Sequence, residues 1–170
     1  AVSKDETVIR LARLEDAPDL QANCLTMNSV EEVRASIQEN LAAFEQGEKV
    51  PLVGEVGSEV VANALLIRDR HPYRRHRAGW FSVVVAAAHQ RRGMACRLLA
   101  ETCTMAAAMG VEILETSARA GEPAEEVYRR LGFTEWGRLP RGLKEPRGKR
   151  LTFDEVYFYL PIRAATADRD

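Results

Sequence analysis

Cysteine, lysine and long apolar runs are all scarce in this chain, and each shortage excludes something. The three cysteines, Cys24, Cys96 and Cys103, are an odd count without close spacing, which suits neither a disulfide framework nor a zinc site. Cys96 and Cys103 stand seven apart, so on a helix they share a face, and buried thiols in a reducing cytosol are expected. No stretch approaches the roughly 18 uncharged apolar residues that a membrane span needs. Residues 1–6 are polar and lack the apolar heart of a signal peptide. A cytoplasmic location with no membrane partner is therefore the expectation. Internal repeats and low-complexity segments are absent too. Lysine is outnumbered by arginine, 4 to 20, a bias that points to no function by itself.

What remains is an ordinary globular composition. For 170 residues, 46% of them hydrophobic, one domain is expected over residues 1–170. Its core should span about 7–161, with a polar tail at 163–170. The formal net charge is −1, from 25 acidic and 24 basic side chains, but the charge is unevenly spread. Residues 1–66 carry 12 acids and 5 bases, residues 67–100 carry 1 acid and 8 bases, and residues 101–170 carry 12 acids and 11 bases. A neutral chain with a basic middle can bind an anion there and a cation elsewhere. Arg68, Arg70, Arg74, Arg75 and Arg77 cluster in one connection, which raises the question of nucleic acid. Only Tyr73 stands near them for base stacking and the whole chain is not basic, so a solvated hairpin end and no nucleic-acid partner are expected.

Periodicity gives an ordered set of elements. Residues 7–13 alternate and read as a strand. Asp16 is placed to cap a helix, with Pro18 in its first turn, running to about Met27. Ser29 and Glu32 have the spacing of a capping box, and Val33, Ile37, Leu41 and Phe44 recur at helical spacing until Gly47. Residues 51–55 and 60–67 flank a Gly57-Ser58 turn and read as a hairpin. Residues 78–86 are apolar on both faces, as in a central strand. A polar turn at 89–95 leads into a helix that reaches Met109 and stops at Gly110. A strand over 111–117, a helix over 123–131 closed by Gly132, a strand over 133–139, a basic loop over 140–150 and a strand over 151–160 complete the chain. The order predicts a mixed α/β fold around one sheet of about seven strands with about four helices.

The chemistry concentrates in the turn between the central strand and the long helix. Gln90, Gly93 and Ala95 have the spacing Q-x-x-G-x-A. A turn entering a helix leaves backbone N–H groups unpaired, the helix dipole adds positive potential there, and Arg91 and Arg92 add charge. Gly93 permits close approach to the backbone, so a phosphate or pyrophosphate site is expected. This segment resembles the acetyl-coenzyme A motif of the GNAT acetyltransferase superfamily, Q/R-x-x-G-x-G/A between a central strand and a helix. The downstream segment AEEVYRRLGF, residues 124–133, is similar to that superfamily's late motif, with Ala124, Tyr128, Gly132 and Phe133 matching A-x-x-x-Y-x-x-x-G-F. The element order agrees over nearly the whole chain. The ending at residues 137–160 more loosely resembles the branch that acetylates small amines, which includes the tabtoxin-resistance acetyltransferase and other antibiotic-modifying members.

The resemblance implies a mostly antiparallel sheet, an acyltransferase activity and acetyl-CoA as co-substrate, with no metal. The pyrophosphate would lie on the amides of Arg91, Arg92, Gly93, Met94 and Ala95, after Gln90. The pantetheine arm would pair with the backbone of Val83, Val84 and Val85 as an added strand, which a splayed or bulged strand would leave free. Tyr128 would protonate the leaving thiolate. The amine must lose a proton before it attacks, and the acid that the family often carries on its central strand is missing here. Glu115 on the next strand is the first candidate base, followed by Asp154 and Glu155, of which only one can face the cleft, and by His71 and His76. Gly121 stands near where many members carry an asparagine. One arginine of the 68–77 cluster could serve the adenosine 3′-phosphate or a substrate carboxylate, and an acyl-enzyme on Cys96 or Cys103 is a minor alternative.

A small-molecule amine is the expected acceptor: an amino acid-like compound, an antibiotic or a polyamine, seated between residues 15–50 and the loop at 140–152. A protein N-terminus or lysine, and a non-catalytic acetyl-CoA sensor, stay open as alternatives. Members of the fold are often dimers, so a homodimer is compatible with the resemblance, although no residue pattern signals one.

Overall fold

The computed structural model describes residues 6–162; the polar tail expected at 163–170 lies outside them. Seven strands form one sheet in the order β1-β2-β3-β4-β5-β7-β6. They are β1 (Thr7–Leu11), β2 (Lys49–Val56), β3 (Glu59–Arg68), β4 (Arg77–Val85), β5 (Ile113–Arg119), β6 (Thr134–Lys144) and β7 (Thr152–Pro161). Among the described residues the α-helices are α1 (Ala17–Asn23), α2 (Val30–Glu45), α3 (Met94–Ala108) and α4 (Pro123–Arg130). The sheet is mixed: β4 and β5 run parallel, and every other neighbouring pair is antiparallel. This agrees with the expected layout of strands and helices.

The helices cover the two faces unequally. One face carries the larger core, where Val50, Leu52, Ala64, Leu66, Trp80, Leu114, Val156 and Phe158 meet Met94, Leu98 and Ala106 of α3 and Tyr128 of α4. On the other face α1 and α2 cover only the β1–β3 end, through Leu20, Val33 and Ile37 packed against Val53 and Val60. Ser29 accepts the Glu32 N–H at 3.1 Å while the Glu32 carboxylate accepts the Ser29 N–H at 2.8 Å, the capping box that the spacing predicted.

Several boundaries differ from expectation for physical reasons. Asp16 does not cap α1 through its side chain. Its carboxylate, 5% exposed, instead takes two bonds from Arg10 at 2.8 Å and one from the Arg13 N–H at 2.7 Å. β6 runs on through Pro140 to Lys144, because a register shift between Leu139 and Leu143 lets the strand absorb the irregular residues. The left-handed Arg141, φ 56°, lies within that shift. β4 is the middle strand, yet it is apolar and covered on both sides only in part: Phe81 is 44% exposed, since no helix overlies that half of the sheet. Cys96 is exposed rather than buried, because α3 turns that position outward; Cys24 and Cys103 are half-buried.

Candidate functional site

Three features meet where β4 leaves β5. The two strands pair only at Arg77↔Ile113, Ala78↔Leu114 and Gly79↔Glu115. Beyond those pairs β4 continues to Val85 against β3 alone, and β5 continues to Arg119 against β7 alone. A register shift in β3 between Asn63 and Leu65 accompanies the parting. At its centre Ser82 adopts φ 52°, and its carbonyl accepts the Asn63 side-chain amide at 2.8 Å. A bulge of this kind bends its strand, and the result is an open slot whose β4 edge runs through Val83, Val84 and Val85 with no strand partner on the β5 side.

The second feature is the turn into α3. Gln90 donates its side-chain amide to the Val85 carbonyl at 2.9 Å, tying the turn to the end of β4. Arg91 and Gly93 are both left-handed, with φ of 58° and 81°. The first helical bond runs from the Arg97 N–H to the Gly93 carbonyl at 3.0 Å. Among the described residues, no backbone acceptor takes the N–H groups from Arg91 to Cys96, so they form a row of outward donors at the positive end of a fifteen-residue helix. A Cβ on Gly93 would meet nothing within 4 Å, so the approach to this row is open. Met94 presents only its backbone to the turn. Its side chain is 5% exposed, and its sulfur would lie 2.6 Å from a Cβ on Gly54, so glycine there lets the start of α3 sit down on β2. A cavity of about 190 Å³ beside the turn is lined by Thr7, Val56, His89, Arg92, Met94 and Arg97. Arg97 was not singled out from the sequence; its place in the first turn after Gly93 was the available signal.

The third feature is Tyr128. It is 8% exposed, in an aromatic box with Trp80 (ring centroids 6.2 Å apart), Phe133 (5.6 Å) and Phe158 (5.7 Å). Trp80 is fully buried and donates its indole N–H to Thr102 at 3.1 Å, which fixes the box against α3. Thr116 donates to the Trp80 carbonyl at 2.8 Å. Trp80 and Thr116 each stand one residue past the last β4–β5 pair, so Tyr128 lies at the apex of the slot. Burial pushes the Tyr128 hydroxyl up from its ordinary pKa, with Thr116 pulling it partly back, so the phenol keeps its proton at neutral pH.

The other predicted groups lie elsewhere. Glu115 sits on the face opposite Tyr128, and both its oxygens are held by Arg77, one of them at 2.9 Å. Asp154 accepts the Arg141 N–H at 2.9 Å across β6 and β7. Four arginines of the cluster serve the fold itself: Arg77 holds Glu115, Arg68 bonds the Arg75 carbonyl at 2.7 Å, Arg74 pairs with Asp69 at 3.1 Å and Arg75 pairs with Glu48 at 2.6 Å, while Arg70 is exposed.

The sequence and the fold have counterparts in known proteins. The model of the Acetyltransferase (GNAT) family matches residues 14–133. The chain belongs to the GNAT acetyltransferase family. As a GNAT protein it is an N-acetyltransferase acting with acetyl-CoA. Solved structures agree on the fold. An acetyltransferase of GNAT family from Streptococcus pneumoniae is 21% identical, with a TM-score of 0.75 over 92% of this chain and 100% of its own. YncA, a putative acetyltransferase from Salmonella typhimurium solved with its cofactor acetyl-CoA, is 17% identical, with a TM-score of 0.77 over 96% of this chain and 98% of its own. RimL, a ribosomal L7/L12 alpha-N-protein acetyltransferase in complex with coenzyme A, is 19% identical, with a TM-score of 0.79 over the same shares, 96% and 98%. No curated protein matches the sequence. The GNAT residues present here fit acetyl-CoA. The donor row is without protein acceptors, Gly93 is open to approach, and the slot edge lacks a strand. Among the described residues no helix is long and apolar enough to cross a membrane, and no cluster of potential metal ligands is present.

Proposed function

We propose that the enzyme moves the acetyl group of acetyl-CoA onto the primary amine of a small molecule, by direct attack in a ternary complex. The observation that carries the reading is the slot between β4 and β5, open beside the unpaired N–H row and closed at its apex by Tyr128. The amides of Arg91 to Ala95 would hold the pyrophosphate, with Arg91 and Arg92 adding charge, and Gln90 would fix the turn through the Val85 carbonyl. The free edge at Val83 and Val84 would take the pantetheine arm as a strand. A small acceptor is supported by the ending at residues 137–160, similar to the small-amine branch.

When bound, acetyl-CoA supplies a thioester whose carbonyl carbon takes the amine nitrogen as the C–S bond breaks. One ammonium proton leaves to solvent before attack. Tyr128 gives its proton to the departing sulfur and recovers one from solvent, as the nitrogen loses its second proton to solvent. Glu115 borders the closed end of the slot; to take the ammonium proton in place of solvent it must first part from Arg77. Arg77→Gln therefore reports on Glu115: if Glu115 is the base, the rate at limiting amine changes.

Thermal unfolding with acetyl-CoA, adenosine and free coenzyme A tests the binding half. Ligand at about 100 times Kd adds about 2.7 kcal/mol, roughly 5–11 °C for a domain this size. The shift is expected with acetyl-CoA and absent with adenosine. No shift at millimolar acetyl-CoA removes the basis of the reading. Thiol release by Tyr128→Phe tests the acid: kcat should fall by about 10²-fold or more while acetyl-CoA binding holds.

A further inference from the structure

The face of the sheet opposite Tyr128 is uncovered from β4 to β6, and it carries a carboxylate without a cation. Glu155 on β7 is half-buried. It accepts the Ser117 hydroxyl at 2.7 Å and the Tyr157 hydroxyl at 2.7 Å, and among the described residues it has no ion-pair partner. The half-buried carboxylates Glu48, Glu55, Glu115, Glu125 and Glu135 are each paired with an arginine, whereas Glu101 and Asp19, also half-buried, have none among the described residues and lie away from the slot on α3 and α1. A carboxylate partly removed from water is costly unless a cation or several donors compensate it. In a chain with 20 arginines, Glu155 is left to two neutral hydroxyls. Arg119 stands opposite it on β5, but its guanidinium lies over the Phe153 ring at 4.4 Å and pairs with Glu145 at 3.9 Å rather than with Glu155.

The surroundings specify what that cation carries. Ser117 is two residues past the last β4–β5 pair, so Glu155 touches the lip of the slot. Tyr157 packs at 5.3 Å from Trp136, which is 57% exposed, and Leu139, opposite Glu155 in the register, is 49% exposed. Glycine at 142 keeps β6 close, since a Cβ there would come 3.1 Å from a Glu155 carboxylate oxygen. The result is an anion at the slot with an aromatic shelf behind it.

We infer that Glu155, Ser117, Tyr157 and Trp136 form the acceptor seat, where Glu155 receives the ammonium head of a primary amine and Trp136 with Tyr157 receives a flat aromatic body. The inference rests on the acetyl-transfer reading above. It places the attacking nitrogen at the lip of the slot, on the face of the sheet opposite the Tyr128 proton donor. It also narrows the acceptor. A carboxylate next to the amine would face Glu155 as a like charge, so aryl-alkyl amines fit and α-amino acids do not.

Calorimetry on the coenzyme A-loaded enzyme tests this with phenethylamine as the probe and 3-phenylpropionate as the same body with an anionic head. Phenethylamine should bind and 3-phenylpropionate should not. Glu155→Gln, which keeps the shape and one oxygen acceptor for the two hydroxyls that now bond separate carboxylate oxygens, should weaken phenethylamine about ten-fold or more, the size of a lost charged hydrogen bond, and leave acetyl-CoA binding unchanged. Trp136→Ala, at an exposed position that does not threaten folding, should weaken phenethylamine and spare methylamine. Equal binding by either variant and wild type overturns the seat, as does binding of 3-phenylpropionate or preference for a peptide amine. Acetyl-CoA binding without phenethylamine binding overturns the seat and leaves the transferase reading standing. Failure of acetyl-CoA itself to bind removes both.

Discussion

Substituting Gly93 by alanine separates the two roles of the turn before α3. The residue holds φ 81° and ψ 7° as the residue before the helix, and a Cβ there would meet nothing within 4 Å. With no clash, the cost to the unliganded protein is the left-handed backbone alone, about 1–2 kcal/mol for an L-residue. For a chain of 170 residues each kcal/mol is worth about 2–4 °C, so Tm should fall by roughly 2–8 °C. Binding should suffer more. The new methyl group projects into the open space over the N–H row of Arg91 to Cys96, where a pyrophosphate must approach to about 3 Å to accept hydrogen bonds. A loss of ten-fold or more in acetyl-CoA affinity removes about 1.4 kcal/mol of ligand stabilisation. The assay is therefore a pair of melting curves for each protein, with and without saturating acetyl-CoA. The lowered unliganded Tm and the reduced ligand shift should appear together. A variant that melts lower yet keeps the full acetyl-CoA shift would refute the assignment of the pyrophosphate to this row. A variant with unchanged unliganded Tm would refute the left-handed turn.

Other perturbations read other parts of the molecule. Arg10→Ala leaves the Asp16 carboxylate, 5% exposed, without its two 2.8 Å bonds, and should cost about 3–5 kcal/mol in chemical denaturation. The Gly121 N–H, with Arg129 and Arg138, holds Glu125 down to about 2 from its ordinary 4.5. Because the folded pKa is the lower one, the stability from this group is present above about 4.5 and lost as pH falls toward about 2; Glu125→Gln should flatten the acid limb of a Tm-versus-pH curve. Burial pushes the Cys24 thiol up to about 11 and raises Cys103, while Cys96 is exposed. A thiol reagent at pH 8 should therefore modify one cysteine quickly, and Cys96→Ser should abolish that fast phase.

The features legible in the sequence are those that local chemistry decides. Ser29 and Glu32 announce the start of α2 because a capping box needs only four consecutive residues. Gln90, Gly93 and Ala95 announce the turn because a left-handed residue before a helix favours glycine. Gly132 is legible for a related reason, as a helix stop, whereas Tyr128 and Phe133 stand out only through the resemblance of residues 124–133 to the family's late motif. What was hidden depends on partners far along the chain. The outward Cys96 follows from how α3 rolls onto β2, which Gly54 allows by admitting Met94. The Arg77–Glu115 pair, 38 residues apart, joins two strands whose adjacency no local pattern declares. The continuation of β6 through Pro140 needed β7 beside it. Glu155 shared its candidacy with Asp154, because alternation states that one of two neighbours faces the cleft without saying which.

Among the described residues, three pairs joining β4 to β5 are the only rungs between a four-strand ribbon and a three-strand ribbon. A sheet built this way is stiff along each ribbon and compliant across the seam. The expected easy motion is a change in the angle between the ribbons, pivoting at Gly79 and Glu115 and opposed by the aromatic packing of Trp80, Phe133, Tyr128 and Phe158. A chain inserted as an extra rung above the pivot would lock that angle. The amides flanking the seam should then exchange their hydrogens far more slowly in the loaded protein, while those of β2 and β3 keep the same rate.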